Sequence, residues 1–418
     1  MFSSLNIRIG FFLAKRQIKR SNPWTTTLII FVMFFTFINL VVVSGILVGL
    51  IQGAIEAVHN HYTSDVIISN LNDKTYIENS PEVISIIKSL PQVEAMSARY
   101  IEGGTLEANY KTRINEKDKA NTAGASITGI SPKDENDVTQ LSKFIVEGEY
   151  LSPGDYDQIL LGSLLDKKYS AVDSPGFSAL EDVKAGSKIK IKVNGVEREV
   201  TIKGVVKSKV GELGTRVFMV DSQLRSMIGR NDYNVDEISV KLKDGVDPAL
   251  FRDILKQNGV DDVAKVQTFE DARPKFIKDM VDTFDLLGNV LSSIGLVVAS
   301  ITIFIVIFVN AITRRKFIGI LKGIGISESA IEVSYILQSF FYAFCGSVIG
   351  VIVLYGFLQP YMAANPIDFP FSDGILVATP TGTMFRIGLL MVTTIIAGFV
   401  PARLVVRKNT LDSILGRN

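Results

Sequence analysis

Cysteine, histidine and tryptophan are nearly absent from this chain. Its 418 residues include one cysteine, two histidines and one tryptophan. A single thiol cannot form an intramolecular disulfide, and His59 and His61, with no cysteine nearby, make a poor metal site. The Gly-x-x-x-x-Gly-Lys-Ser/Thr motif of a P-loop does not occur, and no nucleophile or carboxylate pair stands in a recognisable catalytic setting. The sequence therefore predicts no catalytic, metal or cofactor-binding site in this chain.

Charged residues are missing from several long stretches. Residues 21–55 carry none, and uncharged apolar runs also cover 286–312, 333–362 and 387–402. A helix needs about 20 apolar residues to cross a bilayer, and the first run is longer than the core of a cleavable signal peptide, about 7–15 residues. We therefore predict an α-helical membrane protein with four transmembrane helices, at residues 23–55, 286–312, 333–358 and 380–402.

Basic residues near these spans predict the topology, because short cytoplasmic segments hold an excess of lysine and arginine. Residues 1–22, 313–332 and 403–418 are basic, whereas the loop 359–379 has two aspartates and no basic residue. We expect both termini and residues 313–332 on the cytoplasmic side of the cytoplasmic (inner) membrane. The loop and the large polar segment 56–285 are then extracytoplasmic.

The segment 56–285 alternates strand and helix patterns. A strand–helix–strand unit is predicted near each end, with helices starting near Pro81 and at Pro248. Between them, residues 188–193 alternate strictly and Asn194-Gly195 is typical of a type I′ hairpin, which predicts an all-β insert. The segment is therefore predicted to be a mixed α+β domain.

Three lysines on the alternating strand, Lys188, Lys190 and Lys192, suggest two interpretations. They can form a nucleic-acid surface, or simply the solvated face of a strand whose isoleucines are buried. Because the domain is net acidic and lacks interleaved aromatic residues, we expect a solvated face and no nucleic-acid partner.

Two helices flank the predicted spans. Residues 1–22 are expected to form a basic amphipathic helix in the membrane interface, although their charge also fits a plain topology signal. Residues 270–285 show helical spacing of apolar side chains and are predicted to run straight into the second span as a rigid stalk. The residues assigned to this stalk are Phe276, Met280, Asp282 and Phe284.

Residues 313–332, here called the coupling segment, form the most informative cytoplasmic piece. Basic residues end the second span, an amphipathic turn follows, Gly323 and Gly325 permit a tight reversal, and Ser327 can cap the next helix. The pattern predicts a short exposed helix with an apolar edge. Either a partner docks on this edge or the helix lies on the membrane.

The coupling segment and the end of the fourth span resemble those of a known family. The run from Thr313 to Ser327 resembles the cytoplasmic signature of FtsX-like ABC transporter permeases, and Val400-Pro401-Ala402-Arg403 resembles that family's ending. Two departures are Phe317, where the family usually has glutamate, and residues 410–415, which copy the tail only approximately. Three segments resemble motifs of the MacB-type outer core domain, in the same order: 128–132, 147–151 and 159–162.

Membership of this MacB/LolC/FtsX superfamily implies a permease subunit that couples ATP hydrolysis to movements of its extracytoplasmic domain, for export or release of a substrate. ATP and magnesium are expected on a separate ATPase subunit of the MacB/LolD type. Other implied partners are a second permease protomer, identical or paralogous, and an extracytoplasmic adaptor or substrate protein. The outer domain is expected to divide into a porter-like α/β part and a β-rich part.

Two alternative functions stay open, a lipoprotein-releasing permease and a non-transport regulator of an outer partner such as a cell-wall hydrolase. In each case the resemblance places the ATPase contact on the coupling segment. The residues assigned to it are Arg314, Arg315, Phe317, Ile318, Gly319, Ile320, Leu321, Gly323 and Gly325.

Overall fold

The computed structural model describes residues 4–112, 120–170, 178–273, 275–369, 372–374 and 376–407. Its helices, in chain order, are α1 Ser4–Lys19, α2 Pro23–Val58, α3 Ser80–Ser89, α4 Pro132–Thr139, α5 Gly211–Gly214, α6 Asp221–Ile228, α7 Pro248–Gln257, α8 Phe269–Ala272, α9 Lys275–Thr313, α10 Arg315–Gly323, α11 Glu328–Val353, α12 Gln359–Ala364 and α13 Pro380–Val406. The strands are β1 Val66–Asn70, β2 Val93–Glu107, β3 Thr122–Ile130, β4 Ile145–Gly148, β5 Gln158–Gly162, β6 Lys188–Val193, β7 Val196–Val206, β8 Arg216–Val220, β9 Glu237–Leu242, β10 Ala264–Thr268, β11 Ile367–Phe369 and β12 Ser372–Gly374.

Four helical segments among the described residues are long and apolar enough to cross a membrane. They are Pro23–Thr63, Lys278–Thr313, Glu328–Ala364 and Pro380–Val406. The third consists of α11 and α12, joined by a π-helical turn at Leu354–Leu358. This confirms the predicted four-span fold class.

The chain divides into two compact units. Most of the sheet unit is Gly53–Lys278, and the helix unit contains the described parts of Met1–Gln52, Asp279–Phe369 and Asp373–Asn418. Within the helix unit, α2 and α11 approach closely at two glycines. A Cβ atom added at Gly346 would lie 2.6 Å from Met33 Cβ, and one added at Gly350 would lie 2.1 Å from Phe37 Cδ1. These glycines therefore serve packing within one protomer.

One half of the sheet unit is a four-stranded antiparallel sheet covered by two helices. The predicted strand–helix–strand units are β1-α3-β2 and β9-α7-β10, and the strand order is β10-β1-β9-β2. This order and the antiparallel pairings are those of a ferredoxin-like sheet. The prediction of two such units is confirmed.

The other half is a closed ring of six strands. β2 continues from the first sheet into the ring, pairing with β9 through Val93–Arg99 and with β3 through Tyr100–Glu107. The ring then runs through β8, β5, β7 and β6 and returns to β2. Closure leaves no free edge among these strands, and their inward side chains, including Ile127, Leu161 and Ile191, are fully buried.

The insert between the two strand–helix–strand units was predicted to be all β, and this is wrong. It also contains α4 and α6. Pro132 at the first turn of α4 and acidic residues in that turn favour a helix start, a local signal that the strand pattern around it obscured.

The predicted hairpin and its lysine face are present. Asn194 and Gly195 have φ values of 46° and 80°, as a type I′ turn requires. The isoleucines of β6 are buried, while its lysines form ion pairs with Glu107, Glu197 and Glu199. The lysines thus lie on the face opposite the isoleucines, as expected.

The helix predicted across residues 270–285 is interrupted. α8 ends at Ala272, Arg273 has an extended backbone with φ −51° and ψ 121°, and α9 begins at Lys275. The physical reason is residue 274, a proline, because proline disfavours the helical conformation in the residue before it.

Candidate functional site

The coupling segment folds as α10 followed by a tight turn. Ile318 is 2 % exposed and Leu321 is 7 % exposed, and both pack in the core of the helix unit. On the opposite side, Phe317, Ile320 and Ile324 are 48, 52 and 71 % exposed. Their spacing of three and four residues places them along one side of the helix, so they form a row, here called the apolar row.

Several bonds fix this segment in place. Lys322 Nζ donates to the carbonyl oxygen of Val406 at 3.0 Å and pairs with Glu328 at 2.7 Å. Gly325 adopts φ +93°, a conformation open to glycine, and reverses the chain. The Ser327 hydroxyl accepts a hydrogen bond from the Ala330 amide and caps α11, as expected from the sequence. The apolar row is therefore presented by an anchored helix.

The predicted contact residues fall into two groups. Phe317, Ile320, Gly323 and Gly325 are exposed, and Arg314 and Arg315 are half-buried. Ile318, Gly319 and Leu321 instead face the protein interior. The three inward residues cannot touch a partner unless α10 moves, whereas Ile324, which sequence reasoning did not single out, is the most exposed member of the apolar row.

The predicted stalk residues lie on α9. Met280 is buried and Phe284 half-buried, and Asp282 is exposed. The side chain of Phe276 lies outside the described residues. The stalk role of these residues stays a prediction.

Sequence reasoning missed a buried ionic cluster in the sheet unit, here called the junction cluster. Arg99, 1 % exposed, lies on β2 where this strand leaves the ferredoxin-like sheet for the ring. Its Nε and Nη2 donate to both carboxylate oxygens of Glu135 at 2.8 Å, and its Nη1 donates to Glu237 at 2.5 Å. Glu135 belongs to α4 and Glu237 to β9, so one guanidinium joins three elements.

The junction cluster extends to the turn that follows α2. Arg99 Nη2 donates to the carbonyl oxygen of Tyr62 at 3.0 Å, and the Tyr62 hydroxyl accepts from Arg216 and donates to Glu237. The guanidinium carbons of Arg99 and Arg216 lie 5.4 and 4.8 Å from the centre of the Tyr62 ring. Strand β2, helix α4, strand β9 and strand β8 are thereby tied to the residues His59–Thr63.

Burial and charge compete at Glu135. Burial alone would raise the pKa of this carboxyl, but the Arg99 guanidinium and hydrogen bonds from Arg99, Ser97 and Thr139 outweigh it, so the pKa is lowered. Arg99 likewise stays charged, because its two carboxylate partners raise its pKa despite burial. Arg99 and Glu135 therefore form an ionised pair that is buried in the sheet unit.

Each of the two histidines has a partner within the sheet unit. His59 Nε2 lies 3.0 Å from Asp65 Oδ1, and the His61 ring packs against Phe144 at 4.4 Å between ring centres. Across the part of the chain that the structure describes, no three histidine, cysteine, aspartate or glutamate side chains gather as a metal would require.

The fold and these sites define a class, a multi-pass membrane protein with a large mixed α+β domain between its first and second spans. Residues 289–410 match the model of the FtsX-like permease C-terminal domain, and residues 27–258, more than half of the chain, match that of the MacB-like periplasmic core domain. The chain therefore belongs to the FtsX-like permeases that carry a MacB-like periplasmic core domain.

Individual relatives agree with this family. A macrolide export ATP-binding/permease protein MacB of Agrobacterium fabrum is 28% identical over 198 residues, which cover 45% of this chain and 28% of that protein. An uncharacterized ABC transporter permease of Methanocaldococcus jannaschii is 22% identical over 251 residues, covering 56% of this chain and 58% of that protein. The chain thus spans less than two thirds of the length of these relatives.

A solved structure resembles this chain only distantly. The periplasmic region of MacB from Actinobacillus actinomycetemcomitans has 16% sequence identity, a TM-score of 0.37, and coverage of 55% of this chain and 97% of that one. Family membership rests on the two sequence models.

Proposed function

We propose that this chain is the permease subunit of an ABC transporter and works with a separate ATPase subunit that carries ATP and magnesium. Nucleotide-driven movement of the ATPase is passed through the spans to the sheet unit, which moves the substrate on its side of the membrane. In this proposal both termini and the coupling segment are cytoplasmic, and the sheet unit and the 359–379 loop are extracytoplasmic, as the basic residues of the sequence suggest.

The observation that carries the proposal is the apolar row of Phe317, Ile320 and Ile324. These side chains are 48–71 % exposed on an anchored helix whose flanks carry Arg314, Arg315 and Lys316. Exposed apolar side chains rimmed by charge are typical of a docking surface. Phe317, in place of the glutamate common in the family, adds an aromatic anchor and removes an acidic contact.

Two features support transmission of movement across the membrane. α9 is one helix of 39 residues and is about 58 Å long, whereas the hydrocarbon core is about 30 Å thick. In the sheet unit, the junction cluster ties the turn after α2 to both halves of the sheet structure. A displacement of that turn therefore reaches β2 through short, charge-assisted bonds rather than through a loose loop.

The substrate and the remaining partners belong to the same proposal. One of the relatives named above is a macrolide export ATP-binding/permease protein, which favours export as the form of substrate movement. A second permease protomer and an extracytoplasmic adaptor or substrate protein complete the assembly. Lipoprotein release and regulation of an outer partner are the alternative outcomes.

The test is purification of the tagged chain from its own membranes, with and without Ile320→Asp. We expect the unmodified chain to retain a P-loop ATPase and to support ATP hydrolysis. Ile320→Asp places a charge at the centre of the apolar row, and we expect at least about a tenfold loss of retained ATPase activity. The measurement is ATP turnover per permease in the purified complex.

Val196→Asp is the matched control. Val196 is 43 % exposed in the β6–β7 hairpin, so this substitution makes a similar chemical change outside the apolar row and should leave the complex intact. An unmodified chain that retains no P-loop protein, or an Ile320→Asp complex with normal turnover, would contradict the proposal.

A further inference from the structure

Helix α1 has one face fixed against α11. Its buried residues are Gly10, Leu13, Ala14 and Gln17. A Cβ atom added at Gly10 would lie 2.6 Å from Val333 Cγ1, and Gln17 Oε1 accepts a hydrogen bond from Gln338 Nε2. The absence of a side chain at Gly10 and a buried polar bond therefore set which side of α1 points away from the protein.

The opposite face of α1 combines cations with aromatic rings. At 100° per residue, Arg8, Lys15 and Lys19 lie within about 40° of one another and roughly opposite the buried face. Phe11 and Phe12 flank this stripe, and each is 61 % exposed. Both rings are thus interleaved with lysine and arginine rather than packed inside the protein.

The positive charge of this segment is not compensated. Residues 1–22 contain five basic residues and no acid. Among the described residues, none of the five has a carboxylate within ion-pair distance, and all five side chains are exposed. Acidic residues three or four positions away on the same helix often neutralise such a stripe, but residues 1–22 contain none.

Helix α1 lies immediately before the first candidate span, which limits the surfaces that its exposed face can meet. α1 ends at Lys19, and α2, part of the first candidate span, begins at Pro23. Trp24, the only tryptophan, stands in the first turn of α2 and is 83 % exposed. A tryptophan at the start of a span is typical of the boundary between headgroups and acyl chains.

We propose that the exposed face of α1 binds the phosphate groups of anionic lipids. The lysines and arginines contact the headgroups, while Phe11, Phe12 and Trp24 enter the adjacent acyl boundary. An acidic face of a protein partner would also complement the charge, but it offers no apolar phase for three exposed aromatic rings beside a span. Lipid binding by α1 requires no ATPase partner.

The single tryptophan allows a direct test on the full chain in vesicles. Brominated lipids quench tryptophan at contact distance, so quenching of Trp24 reports the lipids next to α1 and nothing else in the protein. Mixed phosphatidylcholine and phosphatidylglycerol vesicles are prepared twice, with bromine on only one lipid type each time. We expect phosphatidylglycerol to be enriched about twofold or more around Trp24 relative to its share of the vesicle.

Removing charge should remove this enrichment. In Lys15→Gln/Lys19→Gln the enrichment is expected to fall towards one. The matched control, Lys133→Gln/Lys256→Gln, removes two exposed lysines from the sheet unit and should retain it. If the α1 variant does not fold, the unmodified chain still decides the question, because the enrichment must also decline as salt is raised.

Three results would overturn the proposal. The first is equal quenching by the two brominated lipids at low salt. The second is an enrichment that is insensitive to both salt and the α1 substitutions. The third is enrichment that disappears when an ATPase subunit binds, which would assign this face of α1 to a protein partner.

Discussion

At the scale of single residues, the most informative side chain is Arg99. It is a fully buried cation held by two carboxylates and a backbone carbonyl. Burial of charge is costly, and a buried pair is often no more stable than apolar packing, but removal of one partner leaves an uncompensated charge and is strongly destabilising. Loss of any one partner of Arg99 is therefore expected to weaken the packing of β2 against both α4 and β9.

Glu135→Gln tests this contact. The substitution keeps the shape of the side chain but removes the charge that receives two bonds from Arg99. We expect a loss of about 3 kcal/mol in local stability, which appears as roughly hundredfold faster hydrogen exchange in β2. Asp137→Asn, an exposed site on the same helix, is the control and should leave exchange unchanged. Unchanged exchange in Glu135→Gln would show that the cluster carries little stability.

The same carboxyl predicts a pH dependence. Its pKa in the folded protein is lowered below the ordinary value of 4.5. A group with a lowered folded pKa stabilises the protein above the unfolded pKa, and that contribution is lost as pH falls through the folded pKa. Protection of β2 in the unmodified chain should therefore decrease below pH 4.5, after correction for intrinsic exchange, and Glu135→Gln should lack this component.

This cluster could not be found from the sequence. The partners of Arg99 lie 36 and 138 residues away along the chain, and no local pattern specifies which distant carboxylate meets a given guanidinium. The one available signal was a charged residue inside the long strand β2, next to Ala98 and Tyr100. Such a residue indicates a buried pair only when both neighbouring strands are known.

At the scale of elements, the spacing of apolar residues predicted that α10 is a helix but not which of its sides is buried. The pattern of α10 correctly indicated an amphipathic helix, yet both of its sides contain large apolar residues. Packing in the helix unit buries Ile318 and Leu321 and leaves Phe317 and Ile320 exposed. The choice between the two sides depends on neighbouring helices, and these are distant in sequence. Turn residues were more reliable, because Gly325 and Ser327 act through local backbone geometry.

Gly346→Ala tests the approach of α2 and α11. The added methyl group would lie 2.6 Å from Met33 Cβ and 2.8 Å from the Phe34 amide nitrogen. We expect a loss of about 1–3 kcal/mol because the two helices must separate. The measurement is thermal unfolding followed with a thiol dye on Cys345, the only cysteine.

Gly388→Ala is the control for this change. Gly388 lies on α13 and has open space where a Cβ would be added, so alanine should be neutral or should stabilise the helix by up to about 1 kcal/mol. Equal unfolding temperatures for the two variants would mean that α2 and α11 are not in close contact at Gly346.

At the scale of the whole molecule, α9 joins a membrane span to the chain of the sheet unit without a break after Lys275. The sequence predicted the four spans and the two strand–helix–strand units well, because long apolar runs and periodicity are local signals. It did not predict the closed ring, since closure depends on the pairing of β6 with both β2 and β7.

Asp282→Pro tests whether force passes along α9. Proline removes a backbone hydrogen bond and kinks the helix, at a cost of about 3 kcal/mol or more. We expect the ATPase to bind and hydrolyse ATP at a rate within about twofold of normal, because the apolar row is unchanged. The nucleotide-dependent change in hydrogen exchange of the sheet unit should disappear.

Asp282→Ala provides the comparison for this experiment. Asp282 is exposed, and alanine keeps the helix intact, so the nucleotide-dependent change should persist. A normal response in Asp282→Pro would show that the connection through α9 is not needed, and loss of ATP hydrolysis as well would point to misfolding.

The place where the ring joins the ferredoxin-like sheet also determines how the domain could be shortened. The chain leaves this sheet after Arg99 and returns at Glu237, and these two residues are directly paired across β2 and β9. Paired residues on antiparallel strands have Cα atoms about 5 Å apart, a gap that a short turn spans. Residues 100–236 therefore occupy the position of a hairpin turn, and a shortened chain that joins the two strands directly must also replace Arg99, because its partner Glu135 lies within these residues.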